Sequence, residues 1–386
     1  MRKGNNKSMK AIVLGCGLVG GLIAKDLAKD KNIQVTVADI DEKRLDKLTK
    51  DAGIRGVKAD LSVSSDIKKI VADQDIVIGA VPGFLGFNML RSVIEAGKNI
   101  VDISFMAEDT LSLDGLAKSR GVTAVVDMGV APGMSHMIVG YVYSLLDKTE
   151  SATILVGGLP VIREWPYEYK IAWSPKDVIE EYIRPARLIE CGKIVEKPAL
   201  SDLELVDLPG IGTLEAFNTD GLRSLLYTIK IPSMREKTLR YPGYAEKMRM
   251  LRETGFFNEK PIEAGGVKVS PIDVASKLLF SKWGLKEGER ELTVMRVIVQ
   301  GKKEEKRLCY IYDLLDYYDE NEEATSMSRT TGFPCAIMAR LVAQGEYSRK
   351  GISPPEYIGR EHKVYQRVMK ELEKRNVFYK ENIIKV

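Results

Sequence analysis

The residues of this 386-residue chain that most plainly carry chemistry are three glycines and an aspartate. Gly15-Cys16-Gly17-Leu18-Val19-Gly20 follows an apolar, β-branched run at 10–14 and leads into apolar residues at helical spacing over 18–29. In such a strand–turn–helix the first glycine allows the tight turn, the second lets backbone approach a pyrophosphate, and the third permits close helix–strand packing. The helix start then offers free N–H groups and partial positive charge to phosphates. Asp39 stands 22 residues beyond Gly17, at the end of the next apolar run. A carboxylate there accepts from the adenosine ribose hydroxyls and repels a 2′-phosphate, so the pattern predicts an NAD site rather than an NADP site. Lys43 and Arg44 are a mild counterweight, read as the solvated face of the following helix. A vestigial site on the same scaffold is the alternative.

The elements that must position these groups repeat along the first third. Short apolar runs at 10–14, 34–38, 55–59, 75–80, 99–103 and 122–127 recur about every 20 residues, and helix-like segments (67–71 and 89–94 among them) fill most gaps. Gly97 and Gly121 fall where a helix needs a C-terminal cap. Uninterrupted apolar strands alternating with helices predict an α/β fold, a Rossmann-type doubly wound parallel sheet of six strands. In the 3-2-1-4-5-6 order the crevice opens at the carboxyl ends of strands 1 and 4. The predicted dinucleotide set is therefore Gly15 to Gly20, Asp39 with Ile40, Asp60 with Leu61, Ala80-Val81-Pro82, Asp102, and Val130 in the segment ending strand 6. Helix capping is the alternative reading of Asp60, and turn or cap roles that of Asp102, Ser104 and residues 127–133.

After about residue 134 the rhythm changes. Candidate strands at 152–156, 237–239, 293–299 and 308–312 are separated by longer connections, with turn-rich stretches at 157–160 and 198–213. The acidic run 313–323 reads as a solvated loop, and 329–344 and 362–375 read as helices. A second, mixed α+β domain over 135–326 thus follows the nucleotide domain at 1–134. Charge totals 58 basic against 54 acidic residues, too even for a nucleic-acid or membrane-surface protein. Four scattered cysteines and two histidines argue against disulfides and metal sites, so no metal is expected. Residues 1–8 read as a polar tail, with Met9 a possible natural start. The class that remains is a cytoplasmic, multidomain protein acting on a small molecule, with no membrane partner.

From Asp127-Met128-Gly129-Val130-Ala131-Pro132-Gly133-Met134 onward, the chain resembles the saccharopine dehydrogenase family. Val156-Gly157-Gly158-Leu159-Pro160, Trp173-Ser174-Pro175, Thr238-Leu239-Arg240-Tyr241-Pro242-Gly243, Ser328-Arg329-Thr330-Thr331-Gly332 and Pro354-Pro355-Glu356 carry the likeness in order. The resemblance implies a Rossmann domain, a substrate and dimerisation domain, C-terminal helices over 327–386 folding back to join the first domain, and at least a homodimer. It implies chemistry at the side-chain nitrogen of lysine or of a lysine adduct. The subgroup most alike, the NAD-dependent L-lysine 6-dehydrogenases, deaminates the ε-amine of free lysine to allysine, which cyclises to Δ1-piperideine-6-carboxylate. Saccharopine dehydrogenase or another opine-type amine oxidoreductase is the alternative, and an NAD-binding sensor or scaffold the non-enzymatic one. The family's glutamate-forming reductases carry Asp where Ala131 stands and Cys where Val156 stands, which argues for a smaller substrate here.

Amine oxidation needs a neutral nitrogen, so a base must act on amine or water. Candidates are His136, Lys170 if desolvation lowers its pKa, and Asp102; their alternatives are a structural histidine, an ion-paired lysine, and a ligand for water or nicotinamide. A guanidinium matches the amino-acid carboxylate. Arg240 is the expected partner, because with Thr238 it sits in the motif that faces substrate in the resembling reductases. A salt bridge within the second domain is its other reading, and Arg223 and Arg329 are weaker choices. Ser104 and Phe105 correspond to a substrate-contacting pair, with Phe105 against the lysine methylenes or simply in the core. Tyr244 receives no role.

Overall fold

A parallel sheet covered on both faces needs strands with no polar side, and Ala11, Ile12, Val13 and Leu14 are all fully buried. They lie in the first strand of a computed structural model that describes residues 8–171, 175–286 and 288–385. All of the expected tail except Ser8 lies outside the described residues, as do Trp173 and Ser174. The chain divides into two compact units, Met1–Tyr141 with Ser328–Val377, and Val142–Met327 with Phe378–Val386.

The first unit alternates β1 (Met9–Leu14), α1 (Leu18–Ala28), β2 (Ile33–Asp39), α2 (Glu42–Ala52), β3 (Arg55–Lys58), α3 (Ser64–Val71), β4 (Ile76–Gly79), α4 (Gly83–Glu95), β5 (Ile100–Asp102), α5 (Asp114–Ser119) and β6 (Thr123–Val125), then enters α6 (Met134–Leu145). All pairings are parallel, and the strand order is 3-2-1-4-5-6 as expected. Ile67, Val71, Met89, Leu90 and Val93 from α3 and α4 form one core with Ile12, Leu14 and Val77. Gly97 and Gly121, at φ +70° and +64°, follow α4 and α5. Lys98 N–H reaches Val93 O and Val122 N–H reaches Ala117 O, closing each helix end through the left-handed residue.

The second unit is built on a mixed sheet. Its elements are β7 (Lys148–Pro160), α7 (Pro175–Ile183), β8 (Ala186–Glu190), β9 (Lys193–Lys197), β10 (Glu204–Leu208), β11 (Gly212–Asn218), α8 (Leu225–Thr228), β12 (Ser233–Arg240), α9 (Tyr244–Thr254), a ribbon of β13 (Ile262–Ala264) and β14 (Val267–Val269), α10 (Pro271–Trp283), β15 (Glu291–Lys303) and β16 (Lys306–Tyr317). The order is β10-β11-β12-β7-β15-β16, continued by a last strand, Tyr379–Lys385, and only β12 and β7 run parallel. Two expectations fail here. Gly157-Gly158-Leu159-Pro160 is no turn but the end of β7: a Cβ on Gly157 would lie 2.5 Å from Leu239 O, so the glycine serves close strand packing. The acidic run begins as strand, because Asp313 lies opposite Arg296 in β16–β15 register and pairs with it at 2.6 and 3.0 Å.

The C-terminal segment returns to the first unit as α11 (Ser326–Ala343), a strand at Gly351–Ser353, α12 (Pro355–Gly359) and α13 (His362–Glu373). The strand adds a seventh member beside β6, where six were expected. The unit boundary also differs from expectation: 135–141 stay with the first unit and Phe378–Val386 with the second. Backbone pairing explains the latter, since the last strand follows β16 from Leu314 to Leu308. Close approaches hold the helices. A Cβ on Gly332 of α11 would lie 3.2 Å from Ile23 of α1, and one on Gly359 of α12 would lie 2.0 Å from Met137 O of α6. Asp26, only 2% exposed on α1, receives Arg340 from α11 at 2.6 Å and both Nε and Nη2 of Arg375 at 2.8 and 3.1 Å. Burial alone would raise the Asp26 carboxyl, but Arg375 and Arg340 outweigh it and hold it below its usual range.

Asp26→Asn leaves the half-buried Arg340 without its counter-charge and Arg375 with Glu371 alone, a loss of about 3–5 kcal/mol. A carboxyl held low stabilises the fold above its unfolded-state pKa, about 3.9, and the gain vanishes as pH falls through the folded-state value. Thermal melts of the two proteins must therefore converge in acid; a gap independent of pH would contradict this role.

Candidate active site

At the end of β1 the chain turns within a space that admits no side chain. Gly15 sits at φ +112°, and a Cβ there would lie 2.3 Å from Ala80 O. A Cβ on Gly20 would lie 2.1 Å from Gly15 O, so α1 rests directly on the turn. Gly17 has nothing within 4 Å of such an atom, leaving its backbone open on that side. Gly15 N–H donates to Ala38 O and Ala80 N–H to Leu14 O, both at 2.9 Å, which ties the turn to β2 and to the loop after β4. No side chain caps α1 and no acid stands in its first turn. The first N–H groups of a helix lack intrahelical partners, so this end suits a pyrophosphate.

Asp39, the last residue of β2, is bonded to the turn. Its Oδ2 accepts from Cys16 N–H at 2.6 Å and its Oδ1 from Asp41 N–H at 2.9 Å. Burial, followed by the Asp39 charge, pushes the Cys16 thiol up. Leu18 and Ile40 are exposed beside the turn, whereas Val81, Leu61 and Val130 are buried. Ala80 is half-buried and Pro82 exposed. Asp60 accepts from Ser62 N–H at 2.9 Å and Ser62 Oγ at 2.6 Å, bonds that hold its carboxyl low. Arg44 turns to Asp41 at 3.2 Å.

Deeper in the first unit, Asp102 is fully buried at the end of β5 and receives Ser104 N–H at 3.0 Å and Ser104 Oγ at 2.8 Å. Only the half-buried Phe105 of this pair and its neighbour offers surface. His136 is fully buried on α6, with Nδ1 3.0 Å from Ser135 Oγ. Arg329 donates to Arg375 O and Asn376 O, both at 3.2 Å, beyond the end of α13. Asp102, His136 and Arg329 are thus all buried and hydrogen-bonded.

The second unit collects a different set. Along β12 the side chains alternate, so Glu236, Thr238 and Arg240 share one face, all nearly buried. Arg240 donates to Glu181 of α7 at 3.1 Å and to Leu239 O at 2.9 Å, and its guanidinium lies 4.5 Å from the Tyr169 ring and 5.8 Å from that of Tyr244. Burial alone would lower its pKa, but Tyr169, Tyr182 and Glu181 outweigh it, so the charge is kept. Tyr182 and Tyr244 share a 2.7 Å hydrogen bond, and burial pushes both phenols up. Lys170 fails the condition set for a base. Burial alone would lower its ammonium, yet Glu289 at 2.8 Å and Glu164 at 3.3 Å raise it instead, so it stays charged.

Glu236 is the residue that sequence reasoning missed. It hides among the alternating charges of residues 235–240, and the only signal was the period-two spacing of Glu236, Thr238 and Arg240. Burial raises its carboxyl to about 8 against a bond from Thr219, with Glu181 and Asp220 adding to the rise. Among the described residues no helix is long and apolar enough to cross a membrane, and no group of three or more His, Cys, Asp or Glu is arranged to hold a metal ion.

Two family models match the chain: "Saccharopine dehydrogenase NADP binding domain" at 11–125 and "Saccharopine dehydrogenase C-terminal domain" at 129–377. The mitochondrial alpha-aminoadipic semialdehyde synthase of Mus musculus is 25% identical over 423 residues, covering 90% of this chain and 45% of its own. The chain thus spans less than half of that relative. Saccharopine dehydrogenase [NADP(+), L-glutamate-forming] of Pyricularia oryzae is 23% identical, over 97% of this chain and 98% of its own. The solved apo saccharopine dehydrogenase (L-Glu forming) from Saccharomyces cerevisiae matches with TM-score 0.81 and 20% identity, over 97% of this chain and 100% of that one. At that identity the likeness is one of fold. These relatives do not single out the lysine 6-dehydrogenase subgroup.

Gly20→Ala drives a methyl into Gly15 O and must move either the turn or α1. Fluorescence titration should show dinucleotide affinity falling by roughly tenfold or more, the equivalent of about 1.4 kcal/mol; unchanged affinity would remove the turn from the binding site.

Proposed function

The chain belongs to the saccharopine dehydrogenase family, and on that premise we propose that it is a nicotinamide-dependent oxidoreductase acting on the C–N bond at carbon 6 of a lysine skeleton. The observation that carries the reading is the turn at Gly15–Gly20, where two positions admit no side chain and a third stands open beside an uncapped helix. The nicotinamide ring, when bound, supplies the hydride acceptor. The chain's part is to hold the phosphates at the start of α1, to orient the adenosine ribose on Asp39, and to fix the substrate.

An opine-type substrate, saccharopine or a close relative, is the first reading, because the Pyricularia oryzae relative matched over nearly its whole length is named for forming L-glutamate. Release of glutamate with its nitrogen requires the imine to form toward the lysine carbon, whose hydrolysis leaves a terminal aldehyde. Free lysine is the second reading, with the same carbon losing hydride. It is favoured by Ala131 and Val156, small apolar residues and both half-buried, where the resembling reductases carry polar ones. Arg240 remains our choice for the substrate carboxylate, with a condition attached: it must exchange Glu181 for that carboxylate.

For the dinucleotide we favour NAD, against the NADP in the names of the domain model and of the Pyricularia oryzae relative. Asp39 is fixed by two backbone N–H groups at the place where a 2′-phosphate would have to sit, and Arg44 is already engaged by Asp41. An assembly of at least two copies belongs to the same proposal, to be checked by light scattering.

Reduced-dinucleotide absorbance with saccharopine or lysine, each against NAD and NADP, tests the reading, and o-aminobenzaldehyde detects the cyclised product of either route. Turnover with saccharopine alone selects the first reading and turnover with lysine the second; no turnover with either sinks both. Asp39→Ser should weaken NAD by roughly 10- to 100-fold, as expected for hydrogen bonds to a charged group worth about 1.5–3 kcal/mol, and relax the preference against NADP. Undiminished NAD preference in that variant would contradict the role of Asp39.

A further inference from the structure

Glu236, Thr219 and Thr238 form a continuous line of exchangeable protons inside the second unit. Thr219 Oγ1 lies 2.5 Å from Glu236 Oε2 and 2.9 Å from Thr238 Oγ1, and all three side chains are buried. The carboxyl is closely held: Gly221 N–H donates to it, and a Cβ on Gly221 would lie 2.4 Å from Glu236 Cδ. The charges around it are already committed to one another. Glu181 on α7 pairs with Arg240 on β12, and Asp220, after β11, pairs with Arg187 on β8 at 2.9 and 2.8 Å. Beside Arg240, burial pushes the phenols of Tyr182 and Tyr244 up, so they add no charge. Among the described residues no cation pairs with Glu236, so burial and two like charges outweigh the bonds from Thr219 and Gly221.

A threonine hydroxyl carries one proton, so the direction of this line is set at its buried end. With Glu236 ionised, Thr219 donates to the carboxylate and Thr238 donates to Thr219, leaving the Thr238 oxygen as an acceptor. With Glu236 protonated, the acid donates to Thr219, Thr219 donates to Thr238, and the Thr238 proton turns away from the line. We propose that Glu236 is the positioning residue and proton reservoir for substrate nitrogen in this protein, acting through Thr219 on the hydroxyl of Thr238. The idea rests on the proposed function and adds to it that Thr238, two residues before Arg240 on the same face of β12, touches the substrate. One proton leaves the substrate ammonium for Thr238 Oγ1, the proton of Thr238 passes to Thr219, and that of Thr219 passes to Glu236 Oε2. Nothing is oxidised or reduced in this step. The carboxylate becomes a carboxylic acid, and the nitrogen recovers the lone pair that expels hydride.

Two measurements on the full chain decide it. Infrared difference spectra of the wild type should show a carboxylic-acid C=O band that fades as pH rises through about 8, shifts in Thr219→Val, and is missing in Glu236→Gln. Profiles of kcat/KM for the turned-over amine should rise through the same range. Glu236→Gln should lose that limb and run at least roughly tenfold slower above it, at the low end for a proton-transfer group, while Glu236→Asp keeps the limb. A wild type without the band overturns the proposal, and so does a Glu236→Gln enzyme that retains the limb. If neither saccharopine nor lysine turns over, the proposed function falls by itself. The infrared titration of the wild type and Thr219→Val then still decides whether the proton line exists.

Discussion

The turn after β1 leaves no room for a side chain at Gly15 or Gly20, and the organisation of the first unit follows from that closeness. Because Gly20 rests on Gly15 O, α1 starts directly over the switch point between β1 and β4, with its first N–H groups uncapped. The same helix is gripped again near its other end, where Asp26 takes guanidiniums from α11 and from the segment beyond α13. A third close approach, Gly332 against Val19 and Ile23, lays α11 along it. The C-terminal segment is therefore part of what holds the dinucleotide turn in place, although more than 300 residues separate Asp26 from Arg340 and Arg375.

Buried charge separates scaffold from chemistry in this chain. Asp26 has two guanidiniums, Lys170 two carboxylates, and Arg240 one carboxylate and the face of Tyr169. Each pair opposes its own burial, and each group keeps its charge. Among the described residues Glu236 has hydrogen-bond donors but no cation, and its carboxyl moves the other way, to about 8. In a low-dielectric interior an acid so placed is neutral below about pH 8, and once ionised it can accept a proton from an amine. That contrast, and not burial as such, marks Glu236 out.

What the sequence made legible was local. The run of apolar strands, the glycine turn with its acid at β2, and the caps at Gly97 and Gly121 are each written within a few neighbouring residues, and the strand order follows from general rules of connection. Relations across strands were not legible. Gly157 and Gly158 look like a turn until β12 lies beside them, and Asp313 looks like loop until Arg296 stands opposite. The last strand gives no hint of its partner, because an exposed, mostly polar edge carries no hydrophobic register. The candidate site divides in the same way. Its phosphate turn is a motif, whereas Glu236 and Thr219 meet only because β12 and the residue after β11 are brought together in the fold.

Both substrate readings remove hydride from the same carbon, so the fate of that hydrogen tests the account most directly. Lysine and saccharopine deuterated at carbon 6 of the lysine skeleton, incubated with the chain and NAD, should place deuterium at C4 of the reduced nicotinamide in the NMR spectrum. Reduced dinucleotide free of deuterium, or none formed from either compound by a chain that binds NAD, would contradict it.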